Sequence, residues 1–239
     1  MSGHSKWKNI MHKKEKTDAQ RAKIFTKIGR EISLAVREGG PDPVSNAALK
    51  DLIAKAKSNN VPNDNIERVI KKAAGGNDGE TYEVLTYEGY GPSGVAVYLR
   101  CVTDNRNRTA GDLRHYFDKC GGNLGQTGSV NWMFEKKGVI VIDGEDVDED
   151  QLMEDLIEAD ILDIVAEEGG FTVYTPAESM SDTNDLVLSK NYSVLSAEVA
   201  QVPNNYTEIS EEDGEKMQKL LDMLDDNDDV TDVWHNWDN

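Results

Sequence analysis

Apolar residues in the first part of the chain recur every three to four positions, which is the period of a helix that buries one face. A first helix is predicted from Thr17 or Asp18, either of which can cap it, to about Glu38. The glycine pair at 39–40 ends it, because glycine readily adopts the backbone conformation that follows a helix. Its apolar face is formed mainly by Ile24, Ile28, Ile32 and Ala35.

Two shorter helices are predicted after this one. Asp42 and Pro43 supply an N-cap followed by a proline in the first turn, and the second helix then runs to about Asn59. The third begins near Asn63 and ends at the glycine pair 75–76. Three amphipathic helices joined by tight turns predict a small bundle, and residues 75–80 predict a linker.

Beyond residue 80 the apolar period changes to two, which is typical of strands with one buried face. A first α+β segment is predicted to contain strands 82–90 and 95–103, a helix over 106–119 and a strand over 129–135. A second segment follows in the order strand, helix, strand, strand, helix, strand, which is the ferredoxin-like pattern. Its predicted elements are strand 138–142, helix 148–158, strands 161–167 and 171–175, a helix near 177–189 and strand 193–202.

The C-terminal tail is predicted to form a helix over 210–225 and a strand over 230–235, which is too little to fold alone. It can instead complete the first α+β segment. The predicted fold class is therefore α+β, with an N-terminal three-helix bundle followed by two α+β domains, the third (ferredoxin-like) inserted into the second. The predicted domains are residues 1–76, residues 80–135 with 206–239, and residues 136–205.

Charge is divided unevenly along the chain, whose net formal charge is −19. Residues 1–76 contain 16 Lys and Arg against 8 Asp and Glu, whereas residues 77–239 contain 10 against 37. The first segment therefore carries +8 and the rest −27. Because salt screens charges beyond roughly 8–10 Å, a distant acidic domain does not cancel a basic one in local contacts.

Composition excludes several classes of protein. No apolar run approaches the ~18 residues of a spanning helix, and the first residues lack the apolar stretch of a signal peptide. We therefore expect a cytoplasmic protein. Cys101 and Cys120 are too few for a disulfide framework and are expected to be reduced. No metal site and no cofactor are predicted.

Several long motifs resemble the YebC/PmpR family. They are GHSKWKNIMHKKEKTDAQRAKIFTKIGREI, YEGYGPSGVAVYLRCVTDNRNRT, KCGGNLGQTGSVNWMFEKKG and DDVTDVWHN. They occur in the family's order and span essentially the whole chain. The resemblance implies a cytoplasmic protein of three domains, one α+β domain inserted within the other, described as a probable transcriptional regulator that binds DNA. Members that act in translation, including a mitochondrial one, imply ribosome association as an alternative.

Cations of the N-terminal segment are the main candidates for nucleic-acid contacts, because Lys and Arg neutralise phosphates and release counterions. The alternative is a solvated helix face. Trp7 can stack on a base or anchor the segment to the bundle. The candidates in this segment are Lys6, Trp7, Lys8, Lys13, Lys14, Lys16, Arg21, Lys23, Lys27 and Arg30.

A second candidate lies where a strand is predicted to meet a helix, at residues 104–109. Asn105, Arg106 and Arg108 can hold a phosphate there, together with backbone N–H groups at the start of the helix. The alternative is that Asp104 or Asn105 caps the helix and the arginines pair with acidic neighbours.

Few residues are arranged in the sequence as they are in catalytic or calcium-binding motifs. His115 and Cys120 are five residues apart and do not share a helix face, and no catalytic motif is present, so we do not predict an enzyme. Residues 143–168 contain 13 acidic side chains without a Lys or Arg, which predicts a solvated acidic surface. Val230 stands where a calcium loop after Asp225 requires glycine.

Three functions remain after these exclusions. The first is a transcriptional regulator that binds duplex DNA, and the second is a translation factor that binds ribosomal RNA or tRNA. The third is a protein-interaction module whose acidic domains bind a basic partner. Phosphate contacts alone do not separate DNA from RNA, and the sequence fixes neither the target nor the oligomeric state.

Overall fold

The computed structural model describes residues 18–76, 81–144, 147–167 and 169–238, with side chains described from residue 22 onward. Within these ranges the chain forms two compact units. The larger unit contains residues 18–132 and 207–237, and the smaller contains residues 133–206 with Asp238. The α+β fold class and its N-terminal helices are confirmed.

The helices and strands are numbered in chain order. The helices are α1 (Asp18–Gly39), α2 (Ala47–Ser58), α3 (Asn63–Ala74), α4 (Arg106–Lys119), α5 (Glu149–Asp155), α6 (Met180–Ser189) and α7 (Glu211–Asp226). The strands are β1 (Glu83–Tyr90), β2 (Ala96–Thr103), β3 (Asn123–Leu124), β4 (Phe134–Asp143), β5 (Asp163–Glu167), β6 (Gly170–Pro176), β7 (Val194–Pro203), β8 (Thr207–Glu208), β9 (Val230–His235) and β10 (Trp237–Asp238).

Helices α1, α2 and α3 pack around one apolar cluster, as their periodicity predicts. The buried members of this cluster are Ile28, Ile32, Ala35, Val36, Leu49, Ala56, Ile66 and Ala73. Gly29 of α1 faces Val69 of α3, where a Cβ would make an ordinary van der Waals contact at 3.9 Å.

The start of α2 corrects the sequence prediction, which placed the N-cap at Asp42. The helix begins at Ala47, and Asn46 is its N-cap, with a side-chain oxygen that accepts a hydrogen bond from Leu49 N at 3.0 Å. The amide nitrogen of Asn46 also donates to the carbonyl oxygens of Ala35 and Gly40, each at 2.8 Å. Asn46 therefore caps α2 and ties it to the end of α1, which a local N-cap rule does not anticipate.

The remainder of the larger unit contains an antiparallel sheet in the order β3-β1-β2-β9. Helices α4 and α7 supply the other side of its core, with Leu113 and Phe117 from α4 and Met217 and Leu220 from α7. Strand β9 pairs with β2, so the end of the chain lies beside a strand formed more than a hundred residues earlier.

The smaller unit has the ferredoxin-like order of elements. Its strands form an antiparallel sheet in the order β5-β6-β4-β7, and α5 and α6 pack against it. Ile140, Ile142, Val173, Leu152 and Val187 are among the buried residues of this core. Alternating apolar residues in the strands and one apolar face on each helix therefore bury together, as predicted.

The predicted strand over 129–135 is wrong. Residues 131–133 form a 3₁₀ turn, and the strand begins at Phe134 and continues through the segment predicted as a separate strand. The cause is Glu88, a buried carboxylate that accepts hydrogen bonds from the backbone N–H groups of Gly128, Val130 and Asn131 at 2.7–2.8 Å. These N–H groups bind a side chain and are withdrawn from strand pairing.

In the ranges given above, none of the helices is both long enough and apolar enough to cross a membrane.

Candidate nucleic-acid interface

Most of the N-terminal candidates lie outside the described residues: Lys6, Trp7, Lys8, Lys13, Lys14 and Lys16. Arg21 lies in α1, but its side chain is outside the described part of the chain. The remaining candidates of this segment, Lys23, Lys27 and Arg30, project from α1 toward the end of α7 and the turn that follows it. Their positions show how the basic helix contacts the acidic part of the chain.

Lys23 and Lys27 bind the last turn of α7. Lys23 Nζ donates to Asp226 Oδ1 at 2.5 Å, and this hydrogen bond raises the pKa of the lysine. Lys27 Nζ donates to the carbonyl oxygen of Asp225 at 2.6 Å and lies 3.6 Å from its carboxylate. Only 10% of the Lys27 side chain is exposed, and burial lowers the pKa of its ammonium group. Lys27 therefore contacts a solvent anion only if the end of α7 moves.

Arg30 contacts Asp229, a buried carboxylate that accepts hydrogen bonds from three side chains. Asp229 is 4% exposed and accepts from Arg30 Nη1 at 2.6 Å, Arg108 Nη2 at 2.8 Å and Thr109 Oγ1 at 2.8 Å. Burial alone would raise the pKa of Asp229, but these hydrogen bonds outweigh it and hold the pKa below its ordinary value. Asp229 thus joins α1 to α4.

A second buried cluster lies between the bundle and the sheet. Glu31 of α1 accepts hydrogen bonds from Arg100 of β2 and from Lys55 of α2, the latter at 3.1 Å. Asp232 of β9 accepts from Arg100 at 3.1 Å and lies 3.6 Å from Lys55. Burial favours a neutral Asp232, but the two cations lower its pKa. Two helices and two strands are therefore linked through four charged side chains.

The contact between the bundle and the sheet is polar. Within the described ranges, the apolar cluster of α1–α3 shares no residue with the apolar cluster of β2, α4 and α7. The two parts are instead joined by the pairs centred on Asp226, Asp229 and Glu31. Polar contacts of this kind are characteristic of interfaces that open more readily than a continuous core.

The candidate at 104–109 resolves into three different roles. Asn105 is the N-cap of α4, because its side-chain oxygen accepts from Arg108 N at 3.1 Å. Arg108 pairs with Asp229 and Asp104, and the hydrogen bonds to both raise its pKa. Arg106 is 65% exposed and lies 3.7 Å from Glu83. Of these three, Arg106 presents the most accessible charge.

Sequence reasoning did not select the exposed cations of α2 and α3. Lys57, Arg68 and Lys71 are all exposed, and Arg68 donates to Asn65 of its own helix. A shallow depression of about 440 Å³ on α3 is lined by Arg68, Lys71 and Lys72 together with Asp64 and Glu67. The signal was available, because these cations occupy polar positions of predicted amphipathic helices.

Across the described ranges there is no group of three or more His, Cys, Asp or Glu residues placed to hold a metal ion. Burial raises the pKa of Cys101 to about 12 and also raises the pKa of Cys120, so both thiols stay protonated at neutral pH. His115 is exposed on α4, whereas Cys120 is buried.

Comparison with known sequences decides the family. The sequence model of the TACO1/YebC N-terminal domain matches residues 5–76, and the model of the TACO1/YebC second and third domains matches residues 82–237. The chain belongs to the TACO1/YebC family. All candidates from Lys6 to Arg30 fall in the region matched by the N-terminal model, and Asn105, Arg106 and Arg108 fall in the second region.

Relatives within the TACO1/YebC family are similar over nearly their whole length. A protein of Finegoldia magna is 52% identical over 240 residues, covering 100% of both chains. One of Ruminiclostridium cellulolyticum is 54% identical over 214 residues, covering 89% of this chain and 86% of its own. Both are named probable transcriptional regulatory proteins.

A solved structure has the same fold. It is the crystal structure of a conserved hypothetical protein of Aquifex aeolicus, which is 42% identical to this chain. The two superpose with a TM-score of 0.83, over 93% of this chain and 92% of the other. The TACO1/YebC architecture is therefore shared at the level of the fold as well as the sequence.

Proposed function

We propose that this protein is a nucleic-acid-binding regulator whose basic N-terminal segment contacts phosphates, with duplex DNA as the first candidate ligand. The observation that supports this most is the separation of charge between a segment of +8 and a remainder of −27. The name that its relatives carry, probable transcriptional regulatory protein, agrees with it. The protein would act in the cytoplasm by binding rather than by catalysis.

The candidate residues take different roles in this proposal. The cations before α1 and Arg21 remain proposed phosphate contacts, with Trp7 as a stacking residue. Lys57, Arg68 and Lys71 extend the same basic surface onto α2 and α3. Arg30 and Arg108, which are held by Asp229, would stabilise the fold instead of contacting a ligand directly.

The domain organisation fits the same proposal. The described residues contain three apolar clusters, one in α1–α3, one in the sheet that includes β9, and one in the ferredoxin-like unit. We therefore propose the three domains at residues 1–76, 80–135 with 206–239, and 136–205. The net negative charge of the second and third domains would limit their own contacts with nucleic acid.

RNA is the second candidate ligand. One feature of α3 argues against its use as a recognition helix in a DNA groove. A recognition helix usually presents its N-terminal residues to the bases between two phosphate strands. The first two turns of α3 instead carry exposed Asp64 and Glu67, which phosphates would repel. Recognition of RNA by shape does not require a helix to enter a groove end-first, so it leaves the start of α3 away from the phosphates.

The test compares two variants that lose the same positive charge. The first replaces four N-terminal lysines with alanine: Lys6, Lys8, Lys13 and Lys14. The control replaces four lysines of the acidic part: Lys119, Lys136, Lys216 and Lys219. Fluorescence anisotropy measures the affinity of each full chain for a labelled DNA duplex and for an RNA of the same sequence, between about 50 and 200 mM salt.

We expect the first variant to bind at least about tenfold more weakly, and its log–log salt slope to become less steep by up to about four. The control should bind almost as tightly as the natural chain. Equal losses in both variants, or no binding by the natural chain at the lowest salt, would reject the proposal. If the true partner is a basic protein, we expect the natural chain to bind neither nucleic acid at the lowest salt.

The choice between DNA and RNA is tested in gently lysed cells. Sedimentation with ribosomes on a low-salt sucrose gradient, lost when Lys13 and Lys14 are replaced, would favour a role in translation. Confinement to the light fractions would favour DNA regulation.

A further inference from the structure

The end of α7 carries a run of carboxylates, Asp225, Asp226, Asp228 and Asp229, which we name the acidic turn. We propose that the acidic turn is an intramolecular competitor of phosphate, so that nucleic acid must displace Asp225 and Asp226 to reach Lys23 and Lys27. This inference rests on the proposed function, because it treats Lys23 and Lys27 as part of the basic surface that is proposed to contact phosphates. It adds a regulation of that surface by the protein's own C-terminal segment.

The first support is geometric. Lys23 and Lys27 are four residues apart and therefore lie on one face of α1. Their ammonium groups are 2.5 Å and 3.6 Å from carboxylate oxygens of the acidic turn. A phosphate oxygen would occupy the position of the Asp226 carboxylate oxygen in a charge-assisted hydrogen bond to Lys23. Asp225 covers Lys27 through its backbone carbonyl, at 2.6 Å, with its carboxylate close by.

The second support is that these carboxylates are unfavourable for their own helix. Asp225 and Asp226 lie in the last turn of α7, where the helix dipole disfavours negative charge, and this turn contains no basic residue. The compensating charge comes from α1. A carboxylate pair placed against the helix dipole stabilises the fold mainly through the lysines it covers.

The third support is that this contact can open locally. Asp225 and Asp226 are 65% and 70% exposed, so water can hydrate their carboxylates when they separate from the lysines. The buried pairs of Asp229 with Arg30 and of Glu31 with Arg100 lie further inside and can keep the bundle attached. Displacement therefore needs a movement of the last residues of α7 away from α1, while Leu224, the buried residue directly before them, stays in its apolar cluster.

The experiment removes the two competing carboxylates in the full-length chain. The test variant is Asp225→Asn with Asp226→Asn, and the control is Glu211→Gln with Glu215→Gln near the start of the same helix. The control loses the same charge about 15–21 Å from Asp225, at 1.5 Å per helical residue, and this exceeds the Debye length of roughly 8–10 Å. The probes are the labelled DNA duplex and the RNA of the same sequence.

We expect the test variant to bind roughly two- to tenfold more tightly than the natural chain, because it loses the exposed Lys23–Asp226 pair and the carboxylate beside Lys27. Its log–log salt slope should become steeper by about one, because Lys23 freed from aspartate acquires a counterion that phosphate then releases, whereas Lys27 keeps its hydrogen bond to the Asp225 carbonyl. The control should leave the slope unchanged.

The outcomes separate the two proposals. If the natural chain binds and both variants show the same affinity and slope, the competitor is rejected and the proposed function stands. If the natural chain and both variants bind neither probe, the proposed function is rejected and the competitor with it.

Discussion

Replacement of Asp229 by asparagine tests the polar link between the helical bundle and the sheet. The side chain is almost fully buried and accepts from two arginines and one threonine. Asparagine has nearly the same shape, but it is neutral and presents an NH₂ group where one carboxylate oxygen accepted. At least one arginine then faces a donor instead of an acceptor.

The magnitude follows from the exposure of the partners. Removing one member of a buried ion pair costs about 3–5 kcal/mol when the remaining charge stays buried. Arg30 is 17% exposed, whereas Arg108 is 43% exposed and can be rehydrated by water. We therefore expect the free energy of unfolding of the larger unit to fall by about 2–4 kcal/mol.

The assay must distinguish the two compact units, because a chain of this kind need not unfold in a single step. Native-state hydrogen exchange followed by mass spectrometry reports separately on peptides from α1, from β9 and from the ferredoxin-like unit. Exchange should accelerate in α1 and β9 and stay unchanged in the ferredoxin-like unit. Urea unfolding of the same variant should give a lower midpoint.

Asp228→Asn is the matched control, because this neighbour is exposed and the change removes the same charge. Arg30 bonds only the backbone carbonyl of Asp228, at 2.9 Å, and that bond survives the substitution. We expect its effect to stay within about 0.5 kcal/mol. If Asp229→Asn destabilised the protein no more than this control, the inference that Asp229 links the bundle to α4 would be wrong.

Three further outcomes follow from the same structure. Glu88→Gln should lower the free energy of unfolding by about 2–4 kcal/mol in urea melts, because an amide NH₂ would face backbone N–H donors. The control Glu83→Gln, on the same strand, should change this free energy by less than about 0.5 kcal/mol. Asn46→Ala should cost about 1–3 kcal/mol by the same assay, since it removes a cap and two further hydrogen bonds; a loss below about 0.5 would refute the tie to α1. The lowered pKa values of Asp229 and Asp232 stabilise the fold fully above the unfolded pKa of about 3.9, and this stability is lost as pH falls through the lower folded values. The urea concentration at the unfolding midpoint should therefore decrease when the pH is lowered below about 4. This decrease should be less steep in Asp229→Asn than in the natural chain, and an equal pH dependence in the two proteins would contradict the assignment.

Local signals predicted much of the fold. The helix over 106–119 and the strand over 230–235 have the bounds that periodicity and flanking residues indicate. The sequence prediction was wrong where a side chain that local rules do not select forms hydrogen bonds with backbone groups. Asn46 displaces Asp42 as the cap of α2 because it also binds the end of α1. Glu88, about forty residues away, withdraws the N–H groups of Gly128, Val130 and Asn131 from strand pairing.

The candidate site shows the same division between local and distant information. The sequence identifies Lys27 and Arg30 as cations on a helix, and helical spacing predicts the face on which they lie. Their partners, Asp225 and Asp229, lie 198 and 199 residues further along the chain, and no local pattern pairs them. Arg108 was likewise selected for its charge, whereas tertiary contacts assign it to Asp229.

The long separation between Lys23 and Asp226 has a consequence for the newly made protein. These two residues are 203 positions apart, and chains are synthesised at roughly 5–20 residues per second. The basic helix is therefore complete roughly 10–40 s before the carboxylates that cover it exist. During that interval the nearest polyanion to its lysines is the RNA of the ribosome that is making it. The order of synthesis thus gives every copy of the chain an encounter with RNA before its own aspartates can compete.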